Sequence, residues 1–192
     1  MPGTRTMYAA FAGLLALFAG PALSKDPVWA ATWQASPEPA RAPTVTLNNQ
    51  TVRQVLRISQ GGEKFRVRLS NEYGDTPLRI GAAHIALAAE GSSIKLGSDR
   101  TLTFGGASEV VIPEHSYVLS DPVDLAAPAL SQLAVSLYVP GNEKTLTEHF
   151  FALQNAWLVP RDATSATVLQ APTTITKRLV LAGIDVAVAR RG

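Results

Sequence analysis

The sequence predicts an all-β fold, a single β-sandwich or jelly-roll-like domain. Short runs of alternating apolar and polar residues are separated by turn-forming residues about every ten positions, which is typical of such folds. No stretch after the N-terminal leader holds a helical period with caps at both ends. The 192 residues are 46% hydrophobic and include no cysteine, so packing rather than disulfide bonds must stabilise the core.

The first predicted strands lie between residues 28 and 69. Residues 28–36 form an aromatic-bearing extended run, and the proline-rich residues 37–43 form a loop. Residues 52–59 and 64–69 are extended runs on either side of a Gln-Gly-Gly-Glu turn, and together they predict a β-hairpin. In the second run the residues predicted to face the core are Phe65, Val67 and Leu69, and those predicted to face water are Lys64, Arg66 and Arg68.

The rest of the chain continues the pattern of short strands and turns. A dense turn at residues 70–77 contains Asn, Gly, Asp and Pro. Residues 133–139 predict a central strand with Leu133 and Val135 on one face, ended by the break at Pro140. Further predicted strands cover residues 78–89, 101–104, 110–112, 117–119, 150–159 and 178–188.

The N-terminus predicts an export signal. Arg5 provides a positive charge, and residues 7–20 are an uncharged apolar run followed by small residues, with cleavage expected after Ser24. A membrane anchor is the alternative, but this run is shorter than the ~20 apolar residues that span a bilayer. The sequence therefore predicts a signal peptide at residues 1–24, a mature domain at residues 25–189, no stable membrane span, and a secreted or periplasmic protein.

Charge and residue types limit the chemistry. The formal net charge is +2, and the single basic cluster, Arg190-Arg191, fits a solvated tail, so no nucleic-acid partner is predicted. His84, His115 and His149 are isolated from one another and show no metal-ligand spacing. No metal and no cofactor are predicted.

A serine nucleophile has no recognisable setting in the chain. No Gly-x-Ser-x-Gly sequence occurs, and Ser98 is interpreted as a loop residue because no helix pattern follows it. Distant serine, histidine and aspartate side chains can still meet in a folded chain, so a catalytic triad stays open. No catalytic residue is assigned.

The tryptophans are the candidate binding residues. Trp29, Trp33 and Trp157 can stack on sugar rings if they are exposed, although core packing is the more common role in a domain of this size. Trp29 and Trp33 are four residues apart, which predicts that they share one face of a strand.

Several segments, in order, resemble a group of secreted SGNH/GDSL hydrolases. The sequence Thr-Trp-Gln-Ala-Ser-Pro at 32–37 is similar to the opening of that group, and Arg-Val-Arg-Leu-Ser-Asn-Glu-Tyr-Gly at 66–74 is similar to a second segment. The remaining similar segments are residues 51–54, 57–59, 77–78, 81–86, 98–100, 102–106, 119–123 and 133–138.

This resemblance implies an N-terminal β-domain that precedes an α/β hydrolase core, with ester hydrolysis as the activity of the whole enzyme. In that family the core carries a Gly-Asp-Ser nucleophile block and a late Asp-x-x-His pair. Neither pattern occurs here, and the tail at 190–192 lies where the core would begin. The resemblance therefore implies a truncated domain that is not catalytic alone.

Three functions remain open. The first is an accessory, substrate-shaping domain of a secreted ester hydrolase, whose partners are a hydrolase core and an acylated glycan. The second is a free-standing carbohydrate-binding module outside the cell. The third is a hydrolase with an unrecognised site.

Overall fold

The computed structural model describes residues 27–189, which contain β-strands and no helix. This confirms the predicted all-β fold, and no helix within these residues could cross a membrane. The predicted signal peptide and residues 190–192 lie outside the described residues. The strands are β1 Val28–Gln34, β2 Leu47–Arg57, β3 Gly62–Ser70, β4 Leu78–Ile80, β5 Ala82–Leu87, β6 Arg100–Thr101, β7 Val110–Ile112, β8 Tyr117–Leu119, β9 Val123–Ala127, β10 Gln132–Glu143, β11 Glu148–His149, β12 Ala156–Pro160, β13 Thr173–Ile175, β14 Arg178–Leu179 and β15 Leu181–Val188.

Two antiparallel sheets form the sandwich. The five-stranded sheet has the order β1-β15-β3-β8, and β9 also pairs with β3. The six-stranded sheet has the order β13-β12-β2-β10-β5-β6. Two smaller pairs, β11 with β14 and β4 with β7, complete the described structure.

The main core lies between these sheets. Phe65, Val67 and Leu69 of β3 are fully buried, as are the alternate residues of β10 from Leu133 to Val139. The predicted inward-facing residues of both strands are thus confirmed. Burying one such side chain contributes about 1.5–3 kcal/mol, which makes this interface the main source of stability.

The predicted hairpin between residues 52–59 and 64–69 is wrong. Strand β2 pairs with β10 and β12, whereas β3 pairs with β15, β8 and β9 in the other sheet. The connection turns a corner, at which the Ile58 N–H donates to the Ser131 carbonyl (3.0 Å) and the Ser59 N–H donates to the Thr32 carbonyl (2.9 Å). Alternating residues predict extended strands, but they do not determine which strands pair.

Several strand boundaries also differ from the prediction. Strand β10 does not end at Pro140 but continues to Glu143 across a shift in register between Val139 and Asn142. A proline lacks an N–H, and such an irregularity is one of the few places where a strand tolerates it. The predicted strand at 78–89 is divided at Gly81, and the one at 178–188 is divided at Val180. Strands β9, β11 and β13 were not predicted.

The outer face of the six-stranded sheet is covered by the chain itself. Val55, Ala86 and Ala134 on this face pack with Ala88 and Ile94 from the segment after β5, forming a second, smaller apolar cluster. The outer face of the five-stranded sheet instead carries polar and charged residues of β3 and β15. The two faces of the sandwich therefore differ in what they offer to a partner.

Candidate functional site

Trp29 and Trp33 lie on opposite faces of β1, which corrects the prediction that they share one face. Trp29 pairs with Ala187, but Trp33 pairs with Ile184, because Thr32 is an extra residue that forms a β-bulge. The Thr32 hydroxyl donates to the Gln60 carbonyl at 2.7 Å and accepts the Gln60 N–H at 2.8 Å. One inserted residue thus reverses the side-chain alternation.

The two side chains consequently have different surroundings. The Arg66 guanidinium lies 4.6 Å from the centre of the Trp29 ring and pairs with Asp185 at 2.9 Å. Trp33 packs against the main core, with the buried Arg178 guanidinium 5.8 Å from its ring centre. Burial lowers the pKa of Arg178 to about 10, so Arg178 stays charged at neutral pH.

Trp157 lies on the other sheet. It belongs to β12, is half-buried, and packs against the smaller apolar cluster on the outer face. The structure therefore places the three tryptophans in three separate environments, and they do not form one stacking platform.

A histidine–aspartate pair that was not predicted from the sequence joins β5 to the loop before β6. His84 Nδ1 lies 2.8 Å from Asp99 Oδ2, and Ser136 stands directly opposite His84 on β10. The Ser136 hydroxyl, however, accepts the Arg53 Nε–H at 2.8 Å, and Ser136 is only 2% exposed. A buried hydroxyl that already serves an arginine is unsuited to attack a substrate, so this arrangement supports the sheet rather than catalysis.

The other candidates for catalysis also have structural partners. Ser98 lies in the loop between β5 and β6, as predicted, and its hydroxyl donates to the Lys95 carbonyl at 2.6 Å. His115 Nδ1 contacts the Glu72 carbonyl, and His149 Nδ1 contacts the Ser36 carbonyl and Glu38. Within residues 27–189, no histidine is hydrogen-bonded to a serine or threonine hydroxyl, and no three acidic or histidine side chains are grouped to hold a metal.

A polar recess at one end of the five-stranded sheet is the best candidate for a ligand site. Its volume is about 320 Å³, near the lower end of the ~300–1,000 Å³ of small-molecule sites. We call it the β1–β3 recess, and its lining residues are Gln34, Ala35, Ser36, Pro37, Arg68, Glu72, Tyr117 and Ala182.

Strand register explains the floor of the β1–β3 recess. Gln34 at the end of β1 pairs with Gly183 of β15, and Gly183 pairs with Arg68 of β3. A Cβ atom at Gly183 would lie 3.5 Å from Gln34 Cγ and 3.7 Å from Arg68 Cβ. Because Gly183 has no side chain, the space between the side chains of Gln34 and Arg68 on the neighbouring strands stays open.

A fixed turn after β3 supplies the acidic wall. The buried Asn71 donates through Nδ2 to the carbonyls of Thr76 (2.9 Å) and Ile112 (3.1 Å). A Cβ at Gly74 would lie only 1.8 Å from Asn71 Oδ1, so the turn requires glycine at this position. Glu72 is held beside the recess because its Oε2 accepts the Ser70 hydroxyl at 2.8 Å.

Most polar side chains that line the β1–β3 recess have no partner within residues 27–189. The Arg68 guanidinium lies 5.1 Å from the Tyr117 ring centre, yet no carboxylate of the described chain pairs with it. The side chains of Gln34, Ser36 and Tyr117 likewise make no hydrogen bond to a described residue. The recess therefore presents donors, acceptors and part of an aromatic ring to solvent, which is the composition of a polar ligand site.

The β1–β3 recess was not predicted from the sequence. Gln34, Ser36, Arg68 and Glu72 belong to two sequence segments, 32–37 and 66–74. Their side chains are not part of the core, so core packing does not account for these residue types. Comparison of the chain with known proteins found no matching family model and no matching curated protein.

Proposed function

We propose that this chain is a non-catalytic β-domain of a secreted ester hydrolase of the SGNH type, and that it holds an acylated glycan beside the hydrolase core. One observation supports the proposal above the others. The two segments that resemble this group, although about thirty residues apart, bring their polar side chains together in the β1–β3 recess. Polar side chains that neither pack in the core nor bond to the rest of the domain do not stabilise the fold, so their grouping in one recess supports a role in binding.

The histidine environments agree with a non-catalytic role. His84, His115 and His149 each contact a carboxylate or a main-chain carbonyl, and the serine facing His84 is occupied by Arg53. We therefore expect the purified chain not to hydrolyse p-nitrophenyl acetate. Turnover that is abolished by His84→Ala would instead support a hydrolase with an unrecognised site.

The proposal is tested by restoring a catalytic partner. The chain is joined through a flexible linker to an SGNH hydrolase core prepared without its own β-domain, which raises the effective concentration of the two parts. Compared with a control fusion, we expect a lower KM for acetylated xylan and the same kcat/KM for p-nitrophenyl acetate. The domain is expected to bind the polymer and not the reacting ester. The control fusion carries an unrelated β-sandwich of similar size, and identical kinetics of the two fusions would refute the proposal.

A free-standing carbohydrate-binding module is the second candidate, since the β1–β3 recess also suits a module without a hydrolase partner. The two functions are distinguished by mixing the separate hydrolase core with the separate domain. An accessory domain associates with the core during analytical ultracentrifugation. A free-standing module binds glycan but does not associate.

A further inference from the structure

We infer that the β1–β3 recess binds a neutral sugar residue of a polysaccharide through its hydroxyl groups. This inference rests on the proposed function for the glycan itself, and it adds which part of the glycan is recognised and by which side chains.

The charge balance favours a neutral ligand. The recess holds one cation, Arg68, and one carboxylate, Glu72, and these two groups do not form an ion pair with each other. In a site for an anion, we expect a guanidinium with no carboxylate beside it, because a carboxylate would repel the ligand. A pair of opposite charges that are held apart can instead donate to one hydroxyl and accept from its neighbour.

The hydrogen-bonding groups match a polyol. Arg68 only donates and Glu72 only accepts, while Gln34, Ser36 and Tyr117 can do both. A sugar hydroxyl is itself both a donor and an acceptor, so each of these five side chains offers it a complementary partner. An apolar ligand would cover Gln34, Ser36, Arg68 and Tyr117 without offering them a hydrogen-bond partner, at a cost in desolvation.

Size and shape agree with one or two sugar units. The recess volume of about 320 Å³ exceeds that of a water site but is small for a folded peptide segment. Tyr117 is 53% exposed, so part of its ring remains open beside Arg68 to contact the apolar face of a pyranose.

The inference is tested by affinity electrophoresis and isothermal titration calorimetry of the full chain. The neutral probes are deacetylated xylan and glucomannan, and the anionic probe is polygalacturonate. We expect binding of at least one neutral probe, weakened about tenfold or more by Gln34→Ala and by Tyr117→Ala. Phe151→Ala and Arg79→Ala are the matched controls, since Phe151 is 67% exposed and Arg79 is exposed, both outside the recess, and they should bind like the unmodified chain.

A further variant separates a loss of binding from a loss of stability. Tyr117→Phe keeps the ring and removes only the hydroxyl, and an unchanged circular dichroism melting curve with weaker binding supports the inference. Binding that survives both alanine variants, or no binding to either neutral probe, overturns it. Preferential binding of polygalacturonate that Arg68→Ala abolishes also overturns it, in favour of an anion site.

The two proposals fail in different experiments. If the recess variants bind glycan normally while the hydrolase fusion still shows a lower KM, the sugar inference alone is wrong. If the variants lose glycan binding while the fusion shows no change in KM, the proposed hydrolase partnership alone is wrong.

Discussion

Arg53 Nε–H donates to Ser136 Oγ at 2.8 Å, between residues that face each other on the neighbouring strands β2 and β10. The same guanidinium donates to the carbonyls of Ser92 (2.8 Å), Thr164 (3.1 Å) and Ala166 (2.7 Å). Burial lowers the pKa of Arg53 to about 10, and the Asp99 carboxylate partly opposes this shift. One charged side chain thus fastens two loops to the outer face of the six-stranded sheet.

Arg53→Ala should therefore destabilise the domain strongly. The variant leaves the buried Thr164 carbonyl and the partly buried carbonyls of Ser92 and Ala166 without this donor, and we expect a loss of about 3–5 kcal/mol in the free energy of unfolding. Urea unfolding followed by tryptophan fluorescence measures the loss. Arg57→Ala on the same strand is the control, because Arg57 is exposed and its removal should cost no more than about 1 kcal/mol. Equal losses in the two variants would contradict this account.

Gln54 should stabilise the core although it is polar. Its Nε2 donates to the Leu179 carbonyl at 2.9 Å, and its Oε1 accepts the Leu179 N–H at 2.8 Å, so it pairs with a buried main-chain segment. Gln54→Leu should lower the free energy of unfolding by about 2–3 kcal/mol, because both main-chain groups lose their partner. Chemical denaturation measures the effect. The exposed Gln132 supplies the control variant Gln132→Leu, and a Gln54→Leu protein as stable as this control would show that leucine packing compensates.

Asp121 should make stability depend on acidic pH. Its pKa is lowered, most strongly by the Gly106 N–H and next by the Thr103 hydroxyl, which donate at 2.8 Å and 2.7 Å. Since the folded-state pKa lies below the unfolded value of 3.8, the stabilisation is present above that pH and disappears as the pH falls through the folded-state pKa.

Asp121→Asn should consequently be less stable than the unmodified chain at pH 7, by about 1 kcal/mol. The difference should shrink as the pH falls below 3.8, because the Asp121 carboxyl of the unfolded chain is protonated first and that of the folded chain only at its lower folded-state pKa. Urea unfolding at several pH values measures it. Asp75→Asn, at an exposed turn residue, is the control and should show no such trend. If the difference in free energy of unfolding between the two proteins stays constant with pH, the effect arises from packing and not from the charge of Asp121.

The bulge at Thr32 predicts unequal effects of the two neighbouring tryptophans. Trp33→Ala removes a ring that packs on the main core and should cost about 3 kcal/mol. Trp29→Ala removes a ring that contacts Arg66 on the outer face and should cost about 1 kcal/mol. Equilibrium unfolding in guanidinium chloride compares them. Similar losses would mean that the two rings share one environment, as the spacing in sequence had suggested.

Much of the fold could be predicted from local patterns. The alternation in β3 and β10 identified their inward-facing residues, and β7 and β8 match their predicted ranges. Each of these predictions depends only on residues a few positions apart in the sequence. The pairing of β2 with β10 rather than with β3 could not be predicted, because it depends on contacts between residues far apart in sequence.

The β1–β3 recess could not be predicted from the sequence. The sequence drew attention to tryptophans, whose stacking ability is a property of the residue type alone. The β1–β3 recess depends instead on the register that aligns Gln34, Gly183 and Arg68 and on the turn that holds Glu72. Register cannot be read from any one strand.

The amino-acid sequence by itself determined that this chain forms a cysteine-free, all-β domain with an apolar core, because side-chain alternation and turn residues act over a few positions. The tertiary structure alone decided which strands meet, where Thr32 reverses the alternation of β1, and which polar side chains are left without a partner. These features arise from distant segments that compete for the same hydrogen bonds and the same buried space, and no local pattern records the outcome of that competition.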